Sequence, residues 1–141
     1  MIANPAIRIN WSIDNTMDKS RFDKGLAARR EVLGEKYVDQ AFENMDDFDR
    51  DFQEQFVTEF GWGGTWARGG LERREISILN LGMLAALGRL TEFETHFRGA
   101  IKNNISQDEL REILLQSTEY CGIPIGVEVF RIAKRVINEK K

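Results

Sequence analysis

Apolar residues recur at three- and four-residue steps along most of this chain, and strict alternation is confined to its beginning. From Met1 to Thr16 the pattern alternates weakly through Ile7, Ile9, Trp11 and Ile13 and includes Pro5. That predicts an extended arm, packed on the body or on a neighbouring subunit. Lys19 to Leu33 sets Phe22, Leu26, Arg29 and Arg30 at helical steps, and Gly34 is a fitting stop. Lys36 to Asn44 predicts a shorter helix with Tyr37, Ala41 and Met45 on one side. Asp46 to Phe60 repeats Phe48, Phe52, Phe56 and Phe60 every four residues, which predicts a helix with a phenylalanine stripe in the core. The segment GWGGTWARGG (61–70), with five glycines, predicts a loop.

A long apolar helix is expected from Glu72 to Leu87. Thr91 with Glu94, and Ser106 with Glu109, give two capping-box starts, and Leu110, Ile113 and Leu114 supply the second helix with a buried face. Tyr120 to Pro124 reads as a turn, and Ile125 to Asn138 as a closing amphipathic helix. Strand pairing and internal repeats are not evident. The expected fold is all-α, a single-domain bundle of about six helices over residues 19–141, preceded by an arm over 1–18.

Composition narrows the function classes. A chain of 141 residues forms one domain with a real core. A net charge of −3 and a pI near 5.3 supply no basic stripe, so nucleic acid is not an expected partner. One cysteine and one histidine exclude an internal disulfide and make a structural zinc site untenable. No apolar run reaches bilayer length, and the first residues lack the pattern of a secretion signal. A cytoplasmic setting is the default expectation.

The histidine draws the chemistry to one place. Glu92 and His96 are four residues apart and Arg89 lies one turn further back, so all three can share a helix face. A cation, a carboxylate and a group titrating near neutrality are the materials of metal-free proton transfer. The same three residues also suit an ordinary helix-face ion pair beside a structural histidine. Glu59 precedes the glycine-rich segment, a sensible place for function, and equally a place for a solvated carboxylate. Trp62 and Trp66 are either walls of a pocket or core aromatics. Cys121 is either a pocket residue or a small apolar one.

Six segments together resemble the gamma-carboxymuconolactone decarboxylase branch of the carboxymuconolactone decarboxylase family: RREVLG (29–34), YVDQAFENMDDF (37–48), VTEFGWGGTW (57–66), GLERREISILNLGMLAALGR (70–89), HFRGAIKNNISQDELREILLQ (96–116) and YCGIP (120–124). They keep the family's order and spacing over roughly residues 21–135. The resemblance implies an alkylhydroperoxidase D-like helical protomer assembled as a trimer or hexamer, with sites near subunit contacts. Redox members of that superfamily carry a Cys-x-x-Cys pair before the histidine, and those cysteines fall at Arg89 and Glu92 here. Their glutamate on the preceding helix falls at Ser77, so thiol peroxidase chemistry is not expected.

The implied reaction is cofactor-free decarboxylation of 4-carboxymuconolactone in the beta-ketoadipate pathway. In that reading His96 is the general acid, and Glu92 or Glu59 holds or relays its proton. Arg89 binds a substrate carboxylate, Trp62 and Trp66 wall the pocket, and Cys121 lines it. The chain departs from the branch at Gly64, where many members have Glu, and at Glu119, which is more often apolar. These departures keep two alternatives in view, a related lyase or isomerase on another unsaturated lactone or acid, and a non-catalytic oligomeric protein.

Overall fold

The computed structural model describes residues 17–139, and the predicted arm over 1–16 lies outside them. Seven helices follow one another among the described residues: α1 (Lys19–Leu33), α2 (Glu35–Glu43), a π-helix (Phe52–Trp66), α3 (Arg73–Ala86), α4 (Leu90–Lys102), α5 (Gln107–Cys121) and α6 (Ile123–Asn138). The all-α expectation holds, with one helix more than the six foreseen.

Three of the seven helices start where their side chains dictate. Asp18 caps α1 by accepting from the Arg21 amide at 3.0 Å. Ser106 and Glu109 form the expected capping box at α5. Glu72 and Glu75 form a further one at α3. Thr91, by contrast, does not start α4. The helix begins at Leu90, with Arg89 in the capping position and no side-chain cap. Gly34 and Gly122 each join two helices through a single residue with φ of 99° and 98°, a left-handed conformation that glycine adopts without a Cβ penalty. On α2 the buried residue is Val38, while Tyr37 is exposed.

Two packing layers result. Helices α3, α4, α5 and α6 enclose the larger core, built on Leu81, Phe93, Phe97, Leu110, Leu114, Val129 and Val136. A smaller cluster joins Ala28 and Val32 of α1 to Trp62 and Trp66 of the π-helix. Gly99 of α4 approaches α1 closely enough that a Cβ would lie 3.0 Å from the Val32 carbonyl oxygen. No helix among the described residues is long and apolar enough to cross a membrane.

The segment 46–70 differs most from expectation. The glycine-rich stretch does not break the helix, which continues through Gly61, Gly63 and Gly64 to Trp66. The phenylalanine stripe faces outward: Phe48, Phe52, Phe56 and Phe60 are all exposed. The buried side carries Thr58, Glu59, Trp62 and Trp66 instead. Thr58, Trp62 and Trp66 are also spaced by four, two residues out of phase with the phenylalanines, so they lie on the opposite side. Backbone approach selects between the two stripes. A Cβ on Gly25 would sit 2.2 Å from the Thr58 carbonyl oxygen and 2.6 Å from the Gly63 nitrogen. A Cβ on Gly63 would sit 2.4 Å from the Arg21 carbonyl oxygen. Only a glycine pair admits this contact.

Candidate active site

The π-helix runs antiparallel to α1, and their contacts form a ladder. Arg21 meets Glu59, Gly25 meets Gly63 and Thr58, and Arg29 meets Thr58 and Gln53. The Arg21 guanidinium donates to Glu59 Oε1 through Nε at 3.1 Å and through Nη2 at 2.5 Å. Glu59 is buried at its side chain, so these two bonds, both to Oε1, set a counter-ion beside a carboxylate withdrawn from water. The Arg21 side chain also lies over the Phe60 ring, 6.0 Å from its centroid.

The two tryptophans face α4. Trp62 and Trp66 stack with centroids 4.6 Å apart and 22° between planes. His96 lies against both: 6.1 Å and 8° from Trp62, 5.9 Å and 17° from Trp66. Three near-parallel rings from two helices are therefore mutually adjacent, each pair within the centroid range that aromatic quadrupoles favour. His96 Nδ1 is buried with no hydrogen-bond partner among the described residues. Burial pushes the His96 pKa below its ordinary value, and the Glu92 charge opposes this as the smaller effect. The imidazole is therefore mainly neutral near pH 7.

The remaining expected residues are distributed more loosely. Glu92 is exposed and acts on His96 through its charge. Arg89 is exposed at the start of α4, without an ion-pair partner among the described residues. Cys121 is exposed at the end of α5, a helix that packs on α6 and α3 rather than on the π-helix. Ser77, at the position of the redox glutamate, is buried and accepts from Asn103 Nδ2 at 3.0 Å. The described residues contain no group of three or more histidine, cysteine, aspartate or glutamate side chains suited to a metal ion.

Two partners of this site were not singled out from the sequence. Arg21 binds Glu59 across 38 positions, and Arg29 is buried against Thr58. The useful signal was the second four-residue stripe, Thr58–Trp62–Trp66, with Gly63 beside it. A groove of about 500 Å³ opens next to the stack, lined in part by Gly64, Trp66, Arg68, Ile76 and Asn80. A Cβ placed on Gly64 would meet nothing within 4 Å.

Comparison with known proteins bears on what such a site does. The model of the carboxymuconolactone decarboxylase family matches residues 52–135, from the π-helix into α6. A 4-carboxymuconolactone decarboxylase of Acinetobacter baylyi is 39% identical over 122 residues, covering 86% of this chain and 90% of the relative. A nitrosuccinic acid decarboxylase, npaB, of Metarhizium robertsii is 36% identical over 126 residues, covering 89% of this chain and 87% of the relative.

Proposed function

The chain belongs to the carboxymuconolactone decarboxylase family, and from that premise we propose that it is a cofactor-free carboxy-lyase converting 4-carboxymuconolactone to 3-oxoadipate enol-lactone and CO2. The observation that carries this reading is the His96 imidazole set against a pair of stacked indoles with Nδ1 buried and unpartnered. Such a group is a proton carrier with one ring nitrogen withdrawn from water.

The substrate chemistry explains why no electron sink is required of the protein. When the carboxylate on the ring-oxygen-bearing carbon leaves as CO2, its bonding pair passes through the ring double bond to the lactone carbonyl. The resulting dienolate takes one proton at the alpha carbon. The protein must orient the leaving carboxylate, stabilise the developing oxyanion and deliver that proton.

In this proposal His96 delivers it. An imidazole that rests neutral becomes charged when a dicarboxylate enters beside it, because nearby negative charge favours the protonated form. Glu92 adds to the same effect. Glu59, fixed by Arg21, is the proposed relay, and Arg89 the proposed carboxylate clamp. Trp62 and Trp66 exclude water. Cys121 takes no part in these steps. Exposed Leu79, Met83, Leu87, Leu115, Ile123 and Val127 on α3, α5, α6 and their ends support a homo-oligomer.

A second reading keeps the lyase chemistry and changes the acid. It is favoured by the nitrosuccinic acid decarboxylase relative and by the open space at Gly64. A nitro group beside the departing carboxylate accepts the electron pair as a conjugated lactone does. Turnover of both acids by the purified protein, with and without a chelator, separates the readings. The first expects CO2 from the lactone, undiminished by chelation and abolished in His96→Ala. A folded protein that releases CO2 only from nitrosuccinate moves the assignment to the second, and one inert to both sinks both.

A further inference from the structure

We propose that Arg29 and Thr58 are positioning residues that lock the wide turn of the π-helix and thereby aim Glu59, Trp62 and Trp66 at α1 and α4. Thr58 Oγ1 donates to the Gln53 carbonyl at 2.7 Å, five residues back, the same span that a π-helical backbone bond closes. The Thr58 hydroxyl in turn accepts from Arg29 Nη1 at 3.1 Å. Arg29 Nη2 donates to Gln53 Oε1 at 3.4 Å. One guanidinium thus grips both ends of a single five-residue turn.

The cost of this arrangement points to a purpose. Thr58 is fully buried and Arg29 is 6% exposed. Among the described residues Arg29 has no carboxylate partner, and its Nε is buried without a hydrogen bond. The Phe42 ring, 5.7 Å from the guanidinium carbon, offsets part of the desolvation. An aliphatic side chain would fill the same space without burying a charge, so stability alone does not account for arginine here. Register does. Long π-helices are rare because their hydrogen-bond geometry is less favourable than that of an α-helix, and they need outside support. A return to i→i+4 bonding between Gln53 and Thr58 would rotate every residue that follows. Trp62 and Trp66 would then leave the His96 ring, and Gly63 would leave Gly25.

The test uses the full chain carrying Trp11→Phe, so that Trp62 and Trp66 are the only indoles. Their stacking gives an exciton couplet in the circular dichroism spectrum, a signal that does not depend on any substrate. Thr58→Ser keeps the hydroxyl and should keep the couplet. Thr58→Val keeps the shape, loses the hydroxyl, and should lose more than half of it, as should Arg29→Met. If Arg29→Met does not fold, the Thr58 pair decides. A second arm, which rests on the proposed decarboxylase reading, is turnover: kcat should fall about tenfold in Thr58→Val, as for a misplaced catalytic group, and recover in Thr58→Ser. A couplet equal in Thr58→Val and the parent, or lost equally in Thr58→Ser, overturns the proposal. Loss of the couplet with no turnover in any variant, parent included, faults the functional reading and leaves the positioning role standing.

Discussion

The Trp66 indole and the His96 imidazole, 30 positions apart in sequence, lie 5.9 Å apart and 17° from parallel. Trp62 stacks on Trp66 and lies 6.1 Å from the same imidazole. The half-buried histidine therefore rests against rings that offer its buried Nδ1 no acceptor, and burial is what lowers its pKa.

This burial sets a pH dependence of stability. The folded-state pKa of His96 lies below its ordinary value of 6.5, so the unfolded chain binds more protons in the window beneath that value. The contribution is fully present above about pH 6.5 and is lost as pH falls through the folded pKa. Glu109, held down to about 2 by the Arg74 guanidinium and by Ser106, acts in the same sense, but only below its ordinary 4.5. The two windows are separate. Urea unfolding between pH 7 and pH 5 should show stability falling in the parent and a flatter profile in His96→Gln. Identical slopes would remove His96 as the cause.

The glycines of the α1–π-helix contact divide sharply. Gly25→Ala forces a methyl group into the Thr58 carbonyl and Gly63 backbone, which cannot retreat as a side chain can. A cost of about 1–3 kcal/mol or more is expected, as for an overpacked core. Gly64→Ala meets open space and should be neutral or stabilising by up to about 1 kcal/mol, since alanine favours helix over glycine. Urea midpoints of the two variants check this, and a similar loss in both would contradict the close approach.

Much of the fold was legible because its signals are local. Gly34 stops α1, Ser106 and Glu109 start α5, and the apolar periodicity of α3 and α6 needs no partner to be read. The π-helix was not legible for a definite reason. Phe52, Phe56 and Phe60 form one stripe and Thr58, Trp62 and Trp66 another, and four-residue spacing is the same in both. Which stripe is buried depends on Gly25 in another helix, and whether a backbone bond spans four or five residues leaves no mark on spacing. Five glycines in ten residues ordinarily end a helix, but here Gly63 is where α1 lies closest. At the site, His96, Trp62, Trp66 and Glu59 stood out by residue type, whereas Arg21 and Arg29 act through contacts 38 and 29 positions distant.

The Arg21–Glu59 pair should behave as a buried charge with its counter-ion. Arg21→Met strands the Glu59 carboxylate, which is buried at its side chain. Removing one member of such a pair costs more than removing both. The melting temperature should therefore drop further in Arg21→Met than in the double variant Arg21→Met with Glu59→Gln, which leaves no charge to strand. A double variant less stable than the single would show that the carboxylate has another partner.

Phenylalanines on the two sides of this chain should differ most of all. Phe97 is fully buried and stacks on Phe93 at 5.9 Å, in the α4 face that rests on the larger core. Phe97→Ala should cost about 3–5 kcal/mol through the cavity it leaves. Phe48 is 98% exposed beside the π-helix, and Phe48→Ala should stay within about 0.5 kcal/mol. Both are read as shifts in the urea midpoint at constant m-value. Because His96 precedes Phe97 on α4, the core variant should also loosen the ring stack and weaken the Trp62–Trp66 couplet, while Phe48→Ala leaves it intact. Comparable losses in the two variants would mean that the phenylalanine stripe, and not the Thr58–Trp62–Trp66 side, faces the protein interior.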